Sequence, residues 1–187
     1  MKKFNFILGV LLLLGLFNAC SSDDDIENST KDSFIEDSKN TEKVLIPIEE
    51  GEGFAALSDF FNSELSFSTY SKSFFGGYSG NEKTGDEVCI IINSRKDLEE
   101  IYSGEKELPE IDFQQYTLVV GYVMMPAGGY KCVKQELVST TMASNSILNL
   151  YVEDIYEYNP CVITPLYFWG LYPKTYLSSI ISNIILL

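Results

Sequence analysis

Tyr116-Thr117-Leu118-Val119-Val120-Gly121-Tyr122-Val123-Met124-Met125 is a run rich in β-branched and aromatic side chains. Pro126-Ala127-Gly128-Gly129 follows it, and Tyr130 to Val138 then resumes an extended pattern. Two strand-forming runs separated by a short Pro/Gly segment predict a β-hairpin. Gly128 and Gly129 permit positive φ and close backbone approach, as a tight turn requires. Pro126, Ala127, Gly128, Gly129 and Tyr130 are therefore candidate binding residues, a rigid tip offered to another protein. The alternative is that the glycines only turn the chain while Tyr130 packs on the sheet.

Other strands flank this unit. Val88 to Ile92 is a short apolar run, and Ile147 to Val152 alternates Leu148, Leu150 and Val152 with Asn149 and Tyr151, the pattern of a half-buried strand. Val162 to Leu171 is aromatic-rich, and Ile180 to Leu187 is a further apolar run. Two helices are expected. Phe54, Leu57, Phe60 and Phe61 recur at helical spacing over 53–64. Ser94 caps a second helix, with Asp97 three residues on, Leu98, Ile101 and Tyr102 on one face, and Gly104 as the stop. The expected class is α+β, dominated by a mostly antiparallel sheet or small sandwich with one or two short helices.

The N-terminal segment reads differently. Lys2 and Lys3 precede an apolar run from Phe6 to Phe17, too short to span a bilayer, so 1–19 read as a signal peptide. The run ends in Leu16-Phe17-Asn18-Ala19-Cys20, which resembles a bacterial lipobox with Cys20 as the acylated first residue of the mature chain. Ser21-Ser22-Asp23-Asp24-Asp25 resembles the acidic export signal of Bacteroides-group surface lipoproteins. These resemblances imply anchoring in outer-membrane lipid through acylated Cys20 and exposure at the cell surface. Residues 20–43 are rich in Asp, Glu, Ser and Asn and nearly devoid of apolar side chains, a flexible acidic tether. Residues 44–187 are expected to form one globular domain.

Composition narrows the chemistry. The 187 residues include 27 Asp and Glu, 13 Lys and Arg and no histidine, a net charge of −14. Without histidine there is no Ser-His-Asp or Cys-His relay and no His-ligated zinc. The negative charge argues against nucleic acid as a partner. Glu99 and Glu100 diverge on their helix, and Asp154 and Glu157 sit at a strand end, so paired-carboxylate catalysis has no evident site. No cofactor or metal is expected, and the chain is read as a non-enzyme. With Cys20 assigned to lipid, Cys89, Cys132 and Cys161 leave three possible pairings. Cys132–Cys161 is favoured because both lie in the β-rich half. Eight aromatic residues fall between Tyr151 and Tyr176, among them Trp169, the best single platform for stacking on a sugar ring if exposed.

Ile111-Asp112-Phe113, Leu118-Val119-Val120-Gly121, Gly128-Gly129-Tyr130, the 147–152 strand and Thr164-Pro165-Leu166-Tyr167 together resemble the C-terminal domain of the PrcB protease-complex polypeptide, over about 90–175. Ser94 to Leu98 resembles the short helix that precedes it, and Ala127 stands where that family often has threonine. The resemblance implies a small exported β-rich domain that binds or stabilises another exported protein, with a protease complex as the class of partner. A glycan-binding surface module using exposed aromatics is the alternative.

Overall fold

The computed structural model describes residues 42–66, 71–77, 80–126, 129–140, 145–155 and 162–187. In order, the elements are β1 (Glu42–Leu45), α1 (Phe54–Glu64), α2 (Lys72–Phe75), β2 (Glu87–Ile92), α3 (Arg95–Ile101), β3 (Tyr116–Met125), β4 (Tyr130–Thr140), β5 (Asn145–Asp154), β6 (Thr164–Pro173) and β7 (Ser179–Leu186). They form a mixed α+β fold with dominant antiparallel pairing and few short helices. One sheet has the order β2-β3-β6 and the other β1-β4-β5-β7. The expected tether overlaps the fold by two residues, because Glu42 and Lys43 pair with Thr140 and Ser139 as the start of β1.

Two cores hold three layers together. Between the sheets lie Leu45, Val119, Val123, Leu137, Leu148, Leu150, Val152, Phe168 and Tyr172. On the other face of the three-stranded sheet, Leu57, Phe60 and Phe61 of α1, Phe74 of α2 and Leu98 of α3 cover Leu118, Val120 and Leu171. Each fully buried side chain of the Phe61 or Leu98 kind contributes roughly 1.5–3 kcal/mol relative to exposure. Ser94 caps α3 as expected, its Oγ accepting from Asp97 N at 3.1 Å. Gly104 does not terminate that helix; Tyr102 already leaves it in extended conformation. Gly104 lies under the Tyr102 ring instead, where a Cβ would come within 2.4 Å of Cζ.

The expected hairpin between β3 and β4 is not formed. β3 pairs with β2 and β6, whereas β4 pairs with β1 and β5, so the two consecutive strands belong to different sheets. The physical reason is burial. Leu118, Val119 and Val120 are all buried, one side chain after the next, because β3 has helices on one face and a sheet on the other. β4 carries Lys134 and Glu136 on its solvent face and needs cover on one side only. The run of antiparallel strands also has an exception, since β7 pairs with β5 in parallel.

Two strand glycines admit neighbouring rings. A Cβ on Gly121 would lie 2.3 Å from the Val88 carbonyl and 2.4 Å from Phe168 Cζ; one on Gly170 would lie 2.8 Å from the Tyr172 ring. β6, at the edge of its sheet, is blunted. Its outward carbonyls at Trp169 and Leu171 accept from Gln135 Nε2 at 2.9 Å and Ile48 N at 2.7 Å. Pro165 and Pro173 share that outward parity in the β3 register, so no donor is offered at either end.

Candidate functional site

The register brings several strand ends to one pole of the sandwich. Met125 lies opposite Thr164, Tyr130 opposite Asp154, and Val152 beside Leu186. Gly129 turns into β4 at φ 102°, where side chains other than glycine are strained, and its carbonyl accepts from Ile155 N at 2.7 Å. Leu187 N donates to the Val152 carbonyl at 3.0 Å, fixing the C-terminal residues at the same pole.

This pole is apolar. Pro126 is exposed, and Ile155, Val162, Leu186 and Leu187 expose 54, 50, 63 and 70% of their surface. Ile163 is exposed beside them, and the Lys131–Glu153 pair of the β4–β5 ladder contributes a charged border. An apolar centre with a polar rim is the anatomy of a protein-binding patch. Tyr130 is half-buried and packs against the inter-sheet core, so its ring belongs to the fold and not to the exposed patch. Ala127 and Gly128 lie outside the described residues, as do Cys20 and Cys161. Residues Ile155, Val162, Ile163, Leu186 and Leu187 were not singled out by sequence; their convergence depends on pairings that join distant segments.

Trp169 stands apart from this pole. It lies opposite Val120, five residues along β6 from Thr164, about 17 Å at strand rise. Its indole faces the helices. Phe54 and Phe61 are two turns apart on α1, and the indole centroid lies 5.9 Å from one and 5.0 Å from the other, with interplanar angles of 30 and 25°. The ring is thus wedged between them, and Nε1 donates to Asn62 Oδ1 at 2.9 Å. Beside it is a cleft of about 370 Å³ lined by Pro47, Ile48, Glu49, Phe54, Ser58, Gln135, Trp169 and Gly170. Gln135 is already committed to Trp169 O and the Tyr172 hydroxyl.

Burial pushes the Cys89 thiol up to about 12 and the Cys132 thiol up to about 11, away from thiolate reactivity. Among the described residues both are free thiols; Cys161, the expected partner of Cys132, lies outside the described residues. On the outer face of the four-stranded sheet, Lys134 Nζ lies 2.7 Å from Glu136 Oε1 and 4.7 Å from the Tyr151 ring centroid. The Tyr151 hydroxyl donates to Glu136 Oε2 at 2.7 Å. The bond to Glu136 raises Lys134 and Tyr151, and the same bonds hold Glu136 below its ordinary range, so the lysine stays a charged donor. Among the described residues no group of three or more His, Cys, Asp or Glu side chains is placed to hold a metal. No described helix is long and apolar enough to cross a membrane. Compared with family models, curated proteins and solved structures, the chain matches none.

Proposed function

We propose that the chain is an outer-membrane lipoprotein, anchored at the cell surface through acylated Cys20, whose folded domain binds or stabilises another exported protein without chemistry of its own. The PrcB-like residue pattern makes a protease complex the class of partner to seek. One observation supports this reading above the others: the exposed apolar pole formed by Pro126, Ile155, Val162, Ile163, Leu186 and Leu187. Single exposed hydrophobics are ordinary, but several gathered at one end of the fold with a charged border are the feature of an interaction surface.

The test compares covalent cross-linking in intact envelopes for the wild type, for Ile155→Asp/Val162→Asp and for Trp169→Ala. A specific cross-linked protein should be present in the first and third and absent in the second. A cross-link unaffected by the two aspartates would move the interface elsewhere, and none in any sample would remove the reading. The cleft beside Trp169 favours a second reading, glycan binding. Stacking a sugar on the indole face would require Phe54 or Phe61 to move away, so quenching of Trp169 fluorescence by oligosaccharides is its direct check.

A further inference from the structure

The cleft beside Trp169 lies where the chain between β1 and α1 passes the edge of β6. Ile48 N donates to the Leu171 carbonyl at 2.7 Å, and this bond fixes Ile48 and the neighbouring Glu49 as part of the lining. Phe54 and Ser58, four residues apart on α1 and so on one face of it, line it as well. A volume of about 370 Å³ is that of a small-ligand site. The polar groups already in use narrow the class of ligand. Gln135 is spent on the Tyr172 hydroxyl and the Trp169 carbonyl. Asn62 is spent as well, accepting from the indole N–H and donating to Ser58 Oγ at 3.1 Å. A neutral polyol thus finds both amides engaged and the indole stacked between Phe54 and Phe61. What is left over is a carboxylate. Glu49 is the charged residue of the lining; it is exposed and, among the described residues, has no ion pair or hydrogen bond. From Val44 to Asn62 the chain also carries Glu50, Glu52 and Asp59, all exposed, and no Lys or Arg. A carboxylate in a concave, partly apolar site focuses negative potential more than the same group on an open face.

We infer that this cleft binds an organic cation, an ammonium or guanidinium head at Glu49 on an apolar stem that lies against Pro47, Ile48 and Phe54. The Ser58 oxygen, which accepts one bond from Asn62, keeps a second lone pair for the same head. Such a ligand leaves the stacking of Trp169 on Phe54 and Phe61 undisturbed, as a sugar on the indole face does not. The inference goes beyond the glycan reading of the cleft and is independent of what the apolar pole binds. A free amine and a Lys or Arg side chain of another protein offer the same chemistry.

Trp169 is the sole tryptophan of the chain, so its emission reports on the cleft directly. The full chain carrying Cys20→Ala is titrated with 1-aminopentane, with N-acetyl-arginine amide and with neutral 1-pentanol. Both cations should give a saturable change that added salt weakens, and the alcohol none. Glu49→Gln should raise the dissociation constant of either cation about ten-fold or more with melting unchanged. Glu105→Gln, the same charge change on the exposed loop after α3, should leave it as it was. Ser58→Leu, which fills the cleft without altering charge, should weaken both cations. An acetylated, amidated peptide with one Arg among alanines separates the sources: binding tighter than the free cations marks a protein side chain, and weaker binding marks a free amine. No response to either cation overturns the inference, as does equal binding of 1-pentanol or a folded Glu49→Gln variant that binds as before. An oligosaccharide response indifferent to Glu49→Gln, with none to the cations, returns the cleft to the glycan reading.

Discussion

Tyr172 on β6 and Gln135 on β4 are joined across the sandwich. The buried phenol donates to Oε1 at 3.2 Å, while Nε2 of the same amide donates to the Trp169 carbonyl at 2.9 Å. One side chain thus satisfies a buried hydroxyl of the core and an outward carbonyl of an edge strand.

Replacing Gln135 by Leu should therefore destabilise the domain by about 1–3 kcal/mol, because two buried polar groups lose their partner. Tyr172→Phe should cost about 1 kcal/mol. The double variant should be less destabilised than the sum, since removing the hydroxyl also removes an orphan. Urea unfolding of the four proteins measures the cycle, and strict additivity would show that the two groups do not interact.

Gly121→Ala should be more damaging than Gly170→Ala. At Gly121 the new methyl meets a backbone carbonyl at 2.3 Å as well as Phe168, and the carbonyl is fixed by the sheet. At Gly170 the obstacle is the Tyr172 ring alone. Overpacking costs of about 1–3 kcal/mol are expected at Gly170 and the upper end or beyond at Gly121. Thermal melts of the two variants give the ranking; equal melting temperatures contradict it.

Gly129→Val places a β-branched residue at φ 102°. The strain should exceed about 1–2 kcal/mol and loosen the Ile155 to Gly129 bond at the edge of the apolar pole. Hydrogen exchange at the Ile155 amide should accelerate in the variant, and unchanged protection would mean that the turn tolerates the substitution.

Alkaline pH should weaken the fold. Burial raises Cys89 from 9.0 to about 12 and Cys132 from 9.0 to about 11, and it raises Tyr172 as well. Below pH 9 these groups are protonated in folded and unfolded chains alike. Above it the unfolded thiols ionise first, which favours unfolding until the folded thiols follow near 11 and 12. The urea midpoint should be level between pH 7 and 8.5 and then fall, less steeply in Cys89→Ala/Cys132→Ala. A double variant with the same slope as the wild type refutes the assignment.

Local periodicity announced much of this architecture. The Phe54-Leu57-Phe60-Phe61 spacing marks α1, Ser94 and Asp97 mark the start of α3, and the alternation from Ile147 to Val152 marks a strand open to solvent on one side. Pro126–Gly129 does not reveal the switch of sheets, because turn chemistry says that the chain bends, not which sheet receives it. The continuous burial of Leu118, Val119 and Val120 against the alternation of β5 carried the missing signal: a strand covered on both faces does not neighbour one that is wet on its back. The candidate site was less legible. Pro126 and Gly129 do mark the pole, but Leu186 and Leu187 reach it only through a parallel pairing with a strand 34 residues earlier. Trp169 is in the helix-facing layer because Phe54 and Phe61 bracket it, a relation spanning more than 100 residues.

The parallel β5–β7 ladder also ties the two sheets to each other through the chain. β6 lies between β5 and β7 in sequence yet pairs in the opposite sheet, so the crossover that a parallel pair needs is itself a strand of the other layer. The layers are thereby stitched as well as stacked, and lifting β7 from β5 also slackens the seam that holds β6 in place.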